Sequence, residues 1–155
     1  MAVHRILDDL YQPTFSLIAI HSYLEDYHLA YFLNQTLKSQ LKKASYTIDF
    51  DNEISYNVFE WDDVYQDTLW NLITNTATAQ VPAMQIENLF DGEESTATHY
   101  LIPELKNVDY FLKIDNGAVF TELENTVKAI HEIPKITTAY AVQADKLKSK
   151  NNLIF

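Results

Sequence analysis

Two histidines lie near the start of the chain, and the imidazole of histidine is the side chain that most readily gains or loses a proton near neutral pH. His21 follows an apolar stretch, and His28 comes soon after it, with Asp26 between them. If His21 ends a strand and His28 lies in the following helix, the imidazoles could meet across the junction as a catalytic or ligand pair. The more frequent arrangement is one histidine hydrogen-bonded near the core and one on the surface, and we expect that arrangement. His21 remains a candidate ligand-binding residue.

Three acidic residues spaced by two, Asp49, Asp51 and Glu53, could offer oxygen ligands to a cation. Their spacing is similar to the start of a calcium-binding EF-hand loop, in which a glycine occupies the sixth position and a glutamate closes the loop. Here the sixth position is Ile54, and the closing glutamate is missing at the required spacing. We therefore expect a charged hairpin turn, and no metal ion or other cofactor is predicted.

The residue types that are missing exclude several kinds of chemistry. The chain has no cysteine, so disulfides, thiol catalysis and thiolate metal sites are excluded. Gly92 and Gly117 are too few glycines for a glycine-rich loop around nucleotide phosphates. We therefore expect a protein that is not an enzyme. The alternative is a metal-dependent or histidine–carboxylate enzyme that uses His21, Asp26, His28 or the central acids.

Two further carboxylates, Glu104 and Asp109, lie beside the most regular strand pattern in the sequence. One face of that pattern carries Val108, Tyr110, Leu112 and Ile114, and the other carries Asp109, Phe111, Lys113 and Asp115. This alternation predicts a strand with one face in the core. Pro103 cannot donate to a sheet, so it marks a strand end, an edge or a bulge. Glu104 and Asp109 either fasten a strand junction or face a ligand; we favour the junction and keep both as candidate ligand-binding residues.

The residues Ile102-Pro103-Glu104 and Val108-Asp109-Tyr110, separated by three others, form a complete motif. In this segment the chain resembles the bacterial IPExxxVDY family, whose six named positions are all present. The likeness extends loosely to the early strand, the helix after Ser22 and the closing Asn-Leu-Ile-Phe. The resemblance implies a bacterial protein, and it brings no reaction, ligand or catalytic residue with it.

The net charge of −11 is concentrated in the middle of the chain. From Ala44 to Leu105 there is no lysine or arginine, and the acids there are Asp49, Asp51, Glu53, Glu60, Asp62, Asp63, Asp67, Glu87, Asp91, Glu93, Glu94 and Glu104. Such a field repels phosphate backbones, so nucleic-acid binding is not expected. We interpret the acids as a solvated face that favours solubility, with a cation or a basic protein partner as the alternative.

The hydrophobic pattern predicts one α+β domain over residues 1–155. We expect a mainly antiparallel sheet with two helices packed on one face, in a ferredoxin-like or ACT-like arrangement with extra strands. The helices are predicted to begin at capping boxes, Ser22–Glu25 and Thr121–Glu124, and the first to run from Tyr23 to Lys43. The predicted strands are Phe15–His21, Ser45–Phe50, Ile54–Trp61, Leu69–Thr74, Gln85–Phe90, Ala97–Ile102, Val108–Asp115 and Ile136–Val142.

Together these features favour a non-enzymatic binding or adaptor protein that acts as a homodimer. We expect this function by analogy, because ACT-like domains often pair their sheet edges and bind small ligands between subunits. A protein partner or a small-molecule ligand is expected. No apolar run is long enough to span a membrane, and Asp8 and Asp9 stand where a secretion signal would be basic, so the expected location is the cytoplasm.

Overall fold

Six antiparallel strands form the central sheet, in the spatial order β10-β1-β9-β6-β5-β2. The structure is a computed structural model that describes residues 15–50, 54–80, 96–117 and 120–155. The strands of this sheet are β1 (Phe15–Ser22), β2 (Lys42–Lys43), β5 (Val58–Asp63), β6 (Thr68–Thr74), β9 (Tyr110–Asp115) and β10 (Ile136–Val142). Two smaller pairs are β3 (Ile48–Phe50) with β4 (Ile54–Tyr56), and β7 (Thr76–Gln80) with β8 (Thr96–Tyr100).

Both helices pack on one face of the sheet, which confirms the predicted α+β class. Helix α1 (Asp26–Leu37) buries Leu29 and Leu33, and helix α2 (Leu123–His131) buries Ile130, against the side chains of one sheet face. The second face is covered by the β3–β4 hairpin and by the segments around Ile102 and Leu153. No helix in the described residues is long and apolar enough to cross a bilayer.

The order of elements along the chain is the one expected for a ferredoxin-like arrangement with extra strands. Four strands of the central sheet, β2, β5, β6 and β9, lie between the two helices along the chain. The neighbouring strands β1 and β9 run antiparallel. Strand β1 lies inside the sheet, between β9 and β10, and this position explains why its sequence is apolar on both faces.

Helix α1 is shorter than predicted at both ends. It ends at Leu37, where Lys38 takes a left-handed conformation, and Lys42–Lys43 form a short strand instead of a last helical turn. The Asn34 side chain explains the change of direction, because its Oδ1 accepts hydrogen bonds from the Leu41 amide (2.8 Å) and the Ser39 hydroxyl (2.8 Å). The helix therefore ends where Asn34 bonds to the segment that follows it, although the apolar pattern of the helix continues further in the sequence.

The two predicted capping boxes are wrong. Ser22 belongs to β1, and its hydroxyl accepts from the Leu24 amide and donates to the Lys135 carbonyl. The residues that cap the helices, Glu25 and Glu122, make no side-chain capping bond. The Ser22 side chain therefore joins the turn after β1 to the turn before β10.

Three strand assignments also change. The predicted strand Ile54–Trp61 is divided into β4, which pairs with β3, and β5, which lies in the central sheet. Strand β8 pairs with β7, whose polar small-residue sequence was not predicted to be a strand; the expected partner, Gln85–Phe90, lies outside the described residues. In β10 a bulge opposite His21 and Ser22 shifts the alternation, so Ile136 packs with Ala139 on the helix face. Val142 packs on the other face.

Candidate functional site

A single buried side chain, Asn75, organises the connection that carries the sequence motif. Its Nδ2 donates to the carbonyls of Leu105 (2.9 Å) and Val108 (2.8 Å), and its Oδ1 accepts from the Ile102 amide (2.9 Å). Its backbone carbonyl also accepts from the Leu101 amide. Asn75 is fully buried, so these bonds satisfy polar backbone groups that water does not reach. No feature of the sequence marked this residue.

Asp109 and Tyr110 fasten the start of β9 to the end of β1. The Asp109 carboxylate accepts from the Ser22 amide (2.9 Å), and the Asp109 amide donates to the Ile20 carbonyl (3.1 Å). The Tyr110 hydroxyl donates to the Leu24 carbonyl (2.6 Å). Burial, helped by nearby carboxylates, raises the pKa of Tyr110 to about 12. These contacts favour the strand-junction interpretation of Asp109.

Glu104 lies in a different part of the connection. Pro103 begins a short 3-10 helix, Pro103–Leu105, in which its missing amide costs no hydrogen bond. The exposed Glu104 carboxylate accepts from the Ser149 amide (3.2 Å) and so contacts the C-terminal segment. Within the described residues no contact joins Glu104 to Asp109 or to His21. The three candidate ligand-binding residues therefore do not converge.

The two histidines make separate contacts. His21 Nε2 is hydrogen-bonded to the Tyr140 hydroxyl (3.1 Å), whereas the His28 ring lies on the Tyr27 ring with centroids 4.2 Å apart. Asp26, the expected third member, accepts from the Tyr27 amide at the start of α1. These contacts join neither histidine to Asp26.

The acidic turn offers no described metal site. Asp49 accepts hydrogen bonds from the hydroxyls of Thr47 (2.6 Å) and Ser55 (2.7 Å), and these bonds lower the pKa of its carboxyl group. Asp51 and Glu53 lie outside the described residues. Among the residues that are described, no three histidines or carboxylates come close enough to hold a metal ion.

A row of polar side chains crosses the sheet face opposite the helices, and the sequence did not predict it. Glu60 on β5 is paired with Asn71 on β6, and Asn71 with Lys113 on β9. Directly paired residues project from the same face, so the three side chains lie side by side. We call Glu60, Asn71 and Lys113 the polar row. One pleat away, the same strands carry Val58, Ile73 and Phe111, which are fully buried in the apolar core.

Lys113 is buried between aromatic rings. It is 6% exposed, and its Nζ lies 4.8 Å from the ring centroid of Phe15 and 4.4 Å from that of Phe155. Removal of the ammonium group from water lowers the pKa of Lys113, and the negative charge of Asp115 opposes this shift. The rings stabilise the cation through cation–π attraction, but they cannot accept the hydrogen bonds that an ammonium group makes in water.

Asn71 has an unused acceptor in the middle of the row. Its side chain is 1% exposed, and Oδ1 has no hydrogen-bond partner in the described structure. Its Nδ2 makes long contacts to Glu60 Oε2 (3.3 Å) and the Tyr46 hydroxyl (3.5 Å). The Tyr46 hydroxyl also donates to Glu60, and burial, with this bond, raises the pKa of Tyr46 to about 12. Tyr46 and Phe155, both partly exposed, cover this part of the row.

The polar row therefore combines a buried cation, a free amide acceptor and a carboxylate beneath two aromatic side chains. The sequence pattern assigned Lys113 to a polar face because it treated β9 as buried on one side only. Strand β9 is in fact buried on both sides along most of its length. Phe111, on the same face as Lys113, was the available signal of that second core.

A shallow cavity of about 370 Å³ lies at the other end of the sheet, between the turn after β1 and the turn before β10. Tyr23, which is 97% exposed, and Lys135 are among the residues that line it. Its lining includes no buried polar side chain, so it offers fewer fixed hydrogen-bonding groups than the polar row.

Comparison with known proteins gives no independent indication of function. No family model, curated protein or solved structure matches the chain.

Proposed function

We propose that this protein is a non-enzymatic binding domain that holds a small polar molecule on the polar row. The observation that carries the proposal is the buried Lys113 ammonium next to an Asn71 acceptor that has no partner. Buried polar groups are normally hydrogen-bonded, and each exception in a native structure calls for an explanation. A bound molecule that donates to Asn71 Oδ1 would complete this group, and an anionic group on the same molecule would pair with the Lys113 ammonium.

Binding is favoured over catalysis because the groups around the row are suited to hold a ligand. Asn71 is a neutral amide that does not titrate, and Tyr46, with its pKa raised to about 12, keeps its proton at neutral pH. One version of the enzyme alternative uses His21, Asp26 and His28, and the contacts of these three residues lead to different neighbours.

A ligand screen by thermal denaturation tests the binding proposal. The panel contains inorganic phosphate, acetate, free amino acids, nucleotides and polyamines, since a molecule that binds only the folded state raises the melting temperature. We expect at least one compound to raise it, and Lys113→Met to abolish the effect. Lys106→Met is the matched control, because Lys106 is an exposed lysine near the Tyr100 ring, outside the row. No shift with any compound would argue against the proposal.

We also propose that two copies associate through β10, which lies at an edge of the sheet. Its sequence, Ile136–Val142, contains no charged residue, and such edges are templates for pairing with another strand. Two chains of net charge −11 could approach along an uncharged strand with little repulsion. His131 already accepts from the Ala139 amide (3.2 Å), so the free part of the edge is around Ala141.

Light scattering tests this association. Residues two apart in a strand direct their amides to the same side, so the Ala141 amide points away from β1, as that of Ala139 does. Ala141→Pro would remove this amide and leave the β1 pairing in place, so we expect it to convert a dimer into a monomer. Lys43→Ser, on the opposite edge of the sheet, should remain dimeric. A wild-type protein that stays monomeric at high concentration would contradict the association.

The resemblance of the Ile102–Tyr110 segment supports a further proposal, that the chain is a bacterial, cytoplasmic member of the IPExxxVDY family. Each named position of the motif has a use in the fold. Ile102 and Val108 are buried, Pro103 begins the 3-10 helix, and the three polar residues bond to backbone groups of other segments. On this proposal the motif specifies a connection between strands, and the ligand site lies elsewhere.

A further inference from the structure

The polar row and its neighbours place one positive charge, on Lys113, close to several negative charges. Glu60 and Lys113 are separated by one strand, and Asn71 lies between them. Paired strands are about 4.8 Å apart, so the two charged residues start from backbone positions about 10 Å apart. In the next row toward the sheet end, Asp62 and Asp115 add two more carboxylates. The buried ammonium group thus lies in a mostly acidic surrounding.

We infer that the polar row binds a small zwitterion of the amino-acid type, with its carboxylate at Lys113 and its ammonium group at Asn71 and Glu60. This inference rests on the proposed binding function and adds the chemical class of the ligand. Lys113 supplies the donor that a carboxylate needs, and Asn71 Oδ1 and the Glu60 carboxylate are acceptors for an ammonium group.

The charges argue against ligands of a single sign. A simple anion would meet Lys113, but it would also be repelled by Glu60, Asp62 and Asp115. A simple cation would satisfy the carboxylates, but it would place a second positive charge near the buried Lys113. A molecule that carries both charges a few ångströms apart matches both ends of the row.

The aromatic cover suits the remaining part of an amino acid. The rings of Phe15 and Phe155 both lie against Lys113, and Tyr46 contacts the Phe155 ring with centroids 6.3 Å apart. Phe155 is 47% exposed and Tyr46 is 40% exposed, so both rings lie at the surface of the protein. An apolar ligand side chain would pack against these rings.

Titration of the ¹⁵N-labelled full chain, followed by NMR, tests the inference. The probes are the standard L-amino acids, and the tightest binder is then compared with its own decarboxylated amine and its own deaminated acid. We expect one or more amino acids to shift the amide signals of Asn71 and Lys113 in a saturable way. Each analogue that lacks one charge should bind at least about tenfold more weakly.

Two variants and a control complete the test. Glu60→Gln and Lys113→Met should each weaken amino-acid binding about tenfold or more, whereas Lys106→Met should leave it within about twofold. A deaminated acid that binds as tightly as the amino acid would overturn the zwitterion inference and leave the binding function intact. Absence of any amino-acid-induced shift at Asn71 and Lys113 would also overturn it. The wider ligand panel then decides whether the binding function itself fails.

Discussion

Asn75→Ala provides the strongest test of the view that the motif segment is a structural connection. The change removes three side-chain hydrogen bonds, of 2.9, 2.8 and 2.9 Å, and leaves the carbonyls of Leu105 and Val108 and the amide of Ile102 without these partners. The Leu105 carbonyl still accepts from the Val108 amide (3.1 Å), so two buried groups are left unsatisfied, at a cost of about 1–3 kcal/mol each. We therefore expect a loss of about 3–5 kcal/mol, which is a large part of the stability of an ordinary domain, about 5–15 kcal/mol.

Urea denaturation followed by circular dichroism measures this loss, because the free energy of unfolding falls linearly with denaturant concentration. Asn57→Ala is the matched control. Asn57 is half-buried, and its side chain makes a single hydrogen bond, to Asp26 (3.1 Å). We expect a cost of about 1 kcal/mol for this control. If Asn75→Ala also cost only about 1 kcal/mol, the hydrogen bonds around Asn75 would not be what holds the connection together.

Three further results are expected from the same measurements. Glu104→Gln should change stability by less than about 0.5 kcal/mol, because the residue is exposed and the amide oxygen can still accept from Ser149; a larger loss would give Glu104 a role beyond this bond. Lys113→Met should raise stability by about 1 kcal/mol, since a buried cation is replaced by an apolar chain of similar length. A loss of stability would mean that the ammonium group stabilises the fold. For Tyr110, the folded pKa of about 12 lies above the unfolded value of about 10, so the folded state keeps its proton longer and stability falls as the pH rises from 10 to 12. Tyr110→Phe should reduce this fall, and an unchanged pH profile would exclude Tyr110 as its source.

The fold was predictable where local periodicity and burial agree. The strands β1, β6, β9 and β10 and the two helices follow from apolar patterns that belong to single segments. The end of α1 was not predictable in this way. Leu41 continues the helical stripe, and only the contact of Asn34 with the segment after the helix shows that the chain has already turned.

The site was less accessible to sequence reasoning because it depends on the register between strands. Asp109 could be placed at a junction from Pro103 and the strand pattern beside it. The polar row could not be predicted, because Glu60, Asn71 and Lys113 come together only through the pairing of β5 with β6 and of β6 with β9. A single lysine in an alternating strand is usually exposed to solvent. Lys113 is buried instead, because both faces of β9 are covered.

The polar residues of the motif connection and those of the polar row differ in whether their hydrogen bonds are satisfied. The side chains of Asn75 and Asp109 bond to backbone groups of the connection, so the fold alone explains them. Asn71 Oδ1 is equally buried and has no described partner, and the neighbouring Lys113 contacts aromatic rings. Two residues further along the same strands, the same face of the sheet holds the apolar residues Val58, Ile73 and Phe111. Packing on this face therefore does not require polar residues. Because local rules are broken most often where a protein binds or reacts, the incomplete row is the better place to look for a ligand than the fully bonded motif.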